Sequence, residues 1–118
     1  MKEIRPAVRE DLAQIVDLYV RVFGSTHPIP PQELTAYFGK IFFDNPWLEE
    51  NLPSLVYEEG KKFIGFLGII PRRMLLRERP ILLAVSNHFM VDRSSRSTLA
   101  GFELMRTFFD WPTGSILG

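Results

Sequence analysis

The segment from Ile81 to Val91 constrains the fold more than any other part of the chain, because it is long and mostly apolar. Its apolar residues fall on both faces of an extended chain, whereas a strand with one face in water alternates apolar and polar residues. A strand of this kind needs cover on both sides. We therefore predict a central strand in a sheet that carries helices on each face.

Two amphipathic helices are predicted ahead of this segment. The first begins near Glu10 and Asp11, because acidic side chains favour the positive end of a helix dipole, and Gly24 ends it. The second begins at Pro31, which suits a first helical turn, and Pro46 stops it. The apolar stripes of the two helices are Leu12, Ile15, Val16, Tyr19, Val20 and Phe23, and Leu34, Tyr37, Phe38, Ile41 and Phe42. Their helical spacing predicts that both helices dock on a sheet.

Three further segments have the pattern of strands. Glu3 to Val8 is predicted to be a short first strand, and a turn at Gly60 joins Leu55–Tyr57 to Phe63–Ile70 in a hairpin. Pro71 lacks the N–H group that a strand ladder needs, so we expect a bulge or an edge position there before the strand continues. A second turn, over residues 77–80, leads into the long apolar strand.

A polar loop and a last helix follow the long strand. Helical spacing resumes at Leu99 and continues to Phe109. The predicted order is therefore strand, helix, helix, three antiparallel strands and helix. Because no repeat or linker divides the chain, residues 1–118 are predicted to form one domain.

The loop from Asp92 to Thr98 carries the main functional signal. The start of a helix presents backbone N–H groups at the positive end of its dipole, which favours an anion. Arg93 and Arg96 add positive charge, and four hydroxyl groups add hydrogen-bond donors. The hydroxyl groups belong to Ser94, Ser95, Ser97 and Thr98. The loop suits a diphosphate; alternatively, one hydroxyl simply caps the helix and the arginines are solvated.

Several short motifs resemble those of the GNAT superfamily of acyl-CoA-dependent N-acetyltransferases. Ile-Arg-Pro-Ala at residues 4–7, with Asp11, resembles the family's opening strand and first helix, and Phe-Ile-Gly-Phe at 63–66 resembles its third strand. Residues 91–101 resemble its acetyl-CoA loop. The family motif there has six positions: Gln or Arg, two variable residues, Gly, a variable residue, and Gly or Ala. Arg96 falls on the first position and Gly101 on the last. The predicted order of elements also matches the first two thirds of the GNAT fold.

This resemblance implies an α/β fold of the α+β kind, with a mixed, mainly antiparallel sheet whose C-terminal strands are missing. It implies transfer of an acetyl or other acyl group from the co-substrate acetyl-CoA to an amine on a small molecule or peptide. In the family, the end of the fourth strand pairs through its backbone with the pantetheine arm, and the loop and helix start surround the diphosphate. The residues so implied are Phe89, Met90 and Val91 for the arm, and Arg93, Ser95, Arg96, Ser97, Thr98, Ala100 and Gly101 for the diphosphate.

Asn87 and His88 are the candidate catalytic or substrate-contacting residues, because they form a polar pair inside an apolar strand. A histidine titrates near neutral pH and could relay a proton. Adjacent strand residues face opposite sides of a sheet, so at most one of the pair is expected to face a given site. The alternative is that His88 is a structural residue whose ring is satisfied in the core.

The charge balance argues against several classes of partner. The chain has 14 basic and 14 acidic residues, so we expect neither nucleic acid nor a membrane surface to attract it. With no cysteine, thiolate metal sites are excluded, and we predict no metal centre. The start is too polar for a signal peptide, and we expect a cytoplasmic protein.

A second interpretation is a non-catalytic GNAT-like module. The long strand would then use an unpaired edge for protein association. We expect either a homodimer or completion of the sheet by another chain segment.

Leu99 stands where the family usually has a glycine that lets the backbone approach the pyrophosphate. We expect Leu99→Gly to strengthen acetyl-CoA binding and Arg96→Ala to weaken it. Calorimetric titration of each variant with acetyl-CoA measures both effects. Equal affinity for acetyl-CoA in the wild-type protein and in both variants would show that the loop does not contact acetyl-CoA.

Overall fold

The computed structural model describes residues 2–24, 29–46, 48, 52–92 and 99–110, with backbone alone at residues 2 and 82–87. Its strands are β1 (Lys2–Pro6), β2 (Leu55–Glu59), β3 (Lys62–Leu76) and β4 (Arg79–Val91). Its helices are α1 (Leu12–Phe23), α2 (Pro31–Phe42) and α3 (Ala100–Phe109), and a single 3-10 turn spans Arg9–Asp11. The strands form one antiparallel sheet in the order β1-β2-β3-β4. The predicted order of elements is therefore confirmed.

Helices cover both faces of the sheet, as the apolar strands predict. Phe63 and Phe66 of β3 point into a core formed with α1 and α2, which includes the fully buried Ile15 and Phe38. The opposite face of the sheet forms a second core with α3. Its buried members are Leu52, Leu55, Tyr57, Ile64, Leu67, Ile69, Ala100, Leu104 and Phe108. Among the described strands β2 and β3 are the inner ones, and β4 lies at the edge rather than in the middle.

The turn between β3 and β4 is tighter than the sequence suggests. Leu76 pairs with Arg79, so the connection has two residues instead of the expected four. Both of them, Arg77 and Glu78, have positive φ angles, 52° and 66°. Two positive φ angles match the twist of a hairpin, which normally favours Asn or Gly at these positions. Because neither Asn nor Gly is present at these two positions, so short a turn was not predictable from the residue types.

The β3–β4 hairpin continues well past the end of β2. The β2–β3 ladder ends at Leu67, whereas β3 stays paired with β4 as far as Leu76. Pro71 lies in this two-stranded part, which confirms the expected edge position. Every side chain from residue 72 to residue 80 is exposed.

None of the helices in the described part of the chain is both long enough and apolar enough to cross a bilayer.

An ion pair joins β1 to the start of α1. The Arg5 guanidinium donates to both carboxylate oxygens of Asp11, at 2.8 and 2.9 Å, and the Val8 N–H donates to the same group at 2.8 Å. Burial disfavours the charged form of Asp11, but these hydrogen bonds outweigh it and hold its pKa below the usual value of 3.8. The ionised pair therefore fixes the entry into the first helix.

Asp11→Asn should lower the free energy of unfolding at pH 7 by about 2–3 kcal/mol, because it leaves the half-buried Arg5 with only its longer contact to Glu58, at 3.5 Å. The depressed pKa makes this contribution complete above the unfolded value of about 4, and it is lost as the pH falls through the lower folded value. Urea unfolding between pH 2 and pH 7 measures both effects.

Asp17→Asn is the matched control, because Asp17 is exposed and pairs with Arg21 only along the helix surface. A change within about 0.5 kcal/mol is expected for it. Equal losses in the two variants would contradict a special role for Asp11.

Candidate functional site

A β-bulge interrupts β4 at His88. Phe89 lies opposite Leu67 and Asn87 lies opposite Gly68, so His88 is an extra residue that no β3 residue opposes. Its φ angle is 59°, in the left-handed region that a side chain other than glycine rarely adopts. Strain of this kind tends to occur at functional positions. The bulge therefore marks this part of β4 as a candidate site.

The rings of four aromatic residues surround the His88 imidazole. Centroid distances from His88 are 5.1 Å to Phe38, 5.7 Å to Tyr37, 6.2 Å to Phe42 and 6.4 Å to Tyr19. The Tyr37 hydroxyl lies 3.4 Å from His88 Nε2. Burial among these rings lowers the pKa of His88 below its usual value of 6.5, because the cationic form loses solvation there. A neutral ring that can accept a proton therefore occupies this position at neutral pH.

His88 lines a cleft of about 370 Å³ between α1, α2 and β4. The other lining residues are Tyr19, Ile29, Glu33, Leu34, Tyr37 and Phe38. His88 was predicted from the sequence as a site residue, whereas Tyr19 and Tyr37 were assigned to the apolar stripes of the helices. The hydroxyl groups of these two tyrosines were the only feature that could have indicated a role in the site. The Asn87 side chain lies outside the described residues, so its predicted role stays untested.

The end of β4 packs against the start of α3. A Cβ atom added to Gly101 would lie 3.1 Å from Cζ of Phe89 and 3.4 Å from Cγ2 of Val91. Both side chains therefore contact the first turn of α3. Met90 faces the opposite way, into the core beneath α1 and α2. Phe89 is still 43% exposed, and the role predicted for Phe89, Met90 and Val91 in binding the pantetheine arm stays a prediction.

Asp92 fixes the point at which the chain leaves β4. Its side chain is only 8% exposed, and Arg21 of α1 donates to it while Lys62 Nζ lies 3.6 Å away. The Asp92 N–H donates to the Ile64 carbonyl at 2.8 Å, and Arg21 also donates to the Phe63 carbonyl at 3.0 Å. The first residue of the predicted phosphate loop is thus tied to α1 and β3.

The rest of the loop lies outside the described residues. Its predicted ligand residues are Arg93, Ser95, Arg96, Ser97 and Thr98, and their roles stay predictions. The N-cap of α3 is Leu99, whose carbonyl accepts from the Glu103 N–H at 2.8 Å and whose side chain is 61% exposed. A leucine therefore occupies the N-cap position, and the contacts of the preceding hydroxyl groups lie outside the described residues. Ala100 is fully buried, and with Gly101 it gives α3 a narrow start.

Gly65 sets the distance between α3 and the sheet. A Cβ atom added to Gly65 would lie 2.7 Å from Cδ1 of Leu104 and 3.5 Å from the Met90 carbonyl oxygen. On the same face, the Tyr57 hydroxyl donates to Glu103 at 2.6 Å. These contacts hold the start of α3 beside the end of β4.

Solved structures of acetyltransferases have a similar fold. A protein from Clostridium acetobutylicum, described as a predicted acetyltransferase and solved with acetyl-CoA, matches 99% of this chain and 79% of its own, with a TM-score of 0.66 and 17% identity. A GNAT family acetyltransferase from Brucella melitensis, in complex with acetyl-CoA, matches 92% of this chain and 66% of its own, with a TM-score of 0.62 and 18% identity. No family model matches the chain, and no curated protein is significantly similar to it in sequence.

The chain spans a much smaller share of another similar structure. It matches 33% of a Pyrococcus horikoshii protein assigned as an acetyltransferase, with a TM-score of 0.65 and 15% identity, over 92% of its own length. At these identities the likeness establishes the fold. The chain has a GNAT-like fold, and the resemblance seen in its short motifs is confirmed at that level.

Gly65→Ala should destabilise the protein by about 1–3 kcal/mol, because the new methyl group overlaps a methyl of the fully buried Leu104, which must shift within the packed core. Thermal unfolding measures the loss. Gly39→Ala is a matched control, because its Cβ meets only a Leu12 methyl at 3.4 Å within a helix, where alanine is favoured. A Gly65→Ala protein as stable as Gly39→Ala would contradict the close approach of α3.

Proposed function

We propose that the chain acts as an acyl-CoA-dependent N-acyltransferase and that residues 1–118 work as one domain. The observation that carries the proposal is the arrangement at β4. The end of β4 at Val91 packs against the start of α3, and His88, three residues before that end, lines a cleft with its backbone in the left-handed region. An anionic carrier and an acceptor amine could therefore meet along a single strand.

The start of α3 suits the diphosphate of coenzyme A. The helix dipole favours an anion there, and the N-cap Leu99 has no side-chain acceptor that would compete for the first N–H groups. Gly101 in the first turn has no side chain and Ala100 is buried, whereas the side chains of Leu99 and Phe102 are exposed at this end of the helix. Arg93 and Arg96 precede it in the sequence and would supply charge. Bound acyl-CoA would supply the acyl thioester, and the CoA thiol would leave.

His88 is the group best suited to act as the base. Acyl transfer needs a neutral amine, because an ammonium nitrogen has no lone pair to form the new C–N bond. His88 has a lowered pKa and is neutral at pH 7, so it can take the proton of the acceptor. Tyr37 lies against Nε2 and orients the ring. The other titratable groups lining the cleft are Tyr19 and Glu33.

Protein association is a second candidate function, and the long β3–β4 hairpin favours it. Leu75 and Leu76 are 73% and 57% exposed near its tip, and beyond Leu67 no described strand pairs with the free edge of β3. Exposed strand edges with apolar side chains pair readily with other chains. Sedimentation of the protein tests this function. A monomer at high concentration would exclude self-association.

Replacement of His88 by Gln should slow release of CoA thiol from acetyl-CoA by about 100-fold, a typical contribution of a general base. A panel of alkyl, aryl, sugar and peptide amines serves as acceptor. The wild-type rate should rise with pH through the lowered pKa of His88 and be level at neutral pH, whereas the variant should lack this step.

Tyr37→Phe is the control. It keeps the ring against His88 and removes only a hydroxyl that lies 3.4 Å from Nε2, a long distance for a hydrogen bond. Its rate should fall less than tenfold, with the pH step retained. Thermal unfolding checks that each variant is folded. A folded His88→Gln protein with the wild-type rate and pH profile would show that His88 is not the base.

A further inference from the structure

The cleft at His88 has mainly apolar walls. Tyr19, Leu34 and Phe38 are buried and form its floor, whereas Ile29 and Tyr37 at its sides are 41% and 47% exposed. Large apolar side chains left in water are stabilised when an apolar ligand covers them. An acceptor rich in hydroxyl or ammonium groups would lose hydration here without enough partners to replace it.

The charge of the lining favours a cation. Glu33 is the one carboxylate among the described residues that line the cleft, and neither lysine nor arginine is among them. Aromatic rings add to the attraction, because their faces carry negative charge density. The neutral His88 does not repel a cation. The lining therefore accepts an ammonium group and disfavours a carboxylate or phosphate.

A second apolar cleft lies next to the first. It measures about 400 Å³ and shares Tyr19, Ile29 and Leu34 with the cleft at His88. Its other lining residues are Val20, Gly24, Pro30 and Pro31. None of these side chains carries a charge or, apart from the Tyr19 hydroxyl, a polar group. The body of a ligand could extend into this space while its amine stays near Glu33 and His88.

We propose that these two clefts bind a primary amine carried on an aromatic or similarly compact apolar body, an arylalkylamine, in preference to polyamines, amino sugars or peptide lysines. As a statement about the acceptor of acyl transfer, this rests on the proposed function. As a statement about binding, it rests on the walls and charges of the clefts alone.

Calorimetric titration at pH 8, without acetyl-CoA, tests the binding preference. Phenethylamine should bind at least tenfold more tightly than ethanolamine, which has the amine without the ring, and than Nα-acetyl-lysine amide. Phenylpropionate, which replaces the amine by a carboxylate, should not bind detectably. Equal binding of phenethylamine and ethanolamine, or binding of phenylpropionate, would overturn the proposal.

Two substitutions locate the site. Ile29→Ser should weaken phenethylamine binding several-fold through the wall shared by both clefts, and Glu33→Gln should weaken it two- to fivefold through loss of charge. Glu10→Gln removes another exposed carboxylate, one that lines neither cleft, and should leave binding unchanged. Binding insensitive to both Ile29→Ser and Glu33→Gln would overturn the assignment to these clefts.

A separate titration with acetyl-CoA distinguishes this inference from the proposed function. Binding of acetyl-CoA without any preference among the amines overturns the inference and leaves the transferase proposal standing. Selective binding of phenethylamine by a protein that ignores acetyl-CoA supports the inference and contradicts the transferase proposal.

Discussion

The bulge at His88 is the constraint on which the candidate site depends. An unbulged strand would pair every residue of β4 with β3, and the histidine backbone would not enter the left-handed region. The extra residue leaves the His88 ring enclosed by Phe38, Phe42 and two tyrosines. The packing of these rings stabilises the strained backbone and keeps the imidazole neutral. Strain, burial and proton affinity are therefore linked at one residue.

The end of β4 depends on different contacts. Arg21 and Lys62 surround the buried Asp92 carboxylate, so the chain leaves the sheet at a point fixed by α1 and β3. On the other face, the absence of a side chain at Gly65 lets α3 approach closely. Among the described residues, these two sets of contacts fix the end of β4 and bring α3 close to the sheet.

Much of the fold was predictable because the spacing of apolar residues along the chain shows which faces of the helices and strands are buried. The helix stripes and the apolar strands led to the right order of elements, with helices on both faces of the sheet. The tight turn at Arg77 and Glu78 was missed, since neither residue normally favours positive φ. Within the site, His88 was predictable as a polar residue in an apolar strand. Its aromatic surroundings were not, because Tyr19 and Tyr37 reach it only through the packing of two helices on a bulged strand.

The most direct test of the account is a titration with acetyl-CoA followed by residue-resolved NMR. We expect saturable binding of acetyl-CoA, with the largest changes in amide chemical shift at Phe89 to Asp92 and at Ala100 and Gly101. Smaller shifts are expected at the exposed tip of the β3–β4 hairpin, which lies away from the start of α3 along the strand. No binding at millimolar acetyl-CoA, or shifts confined to the hairpin tip, would contradict it.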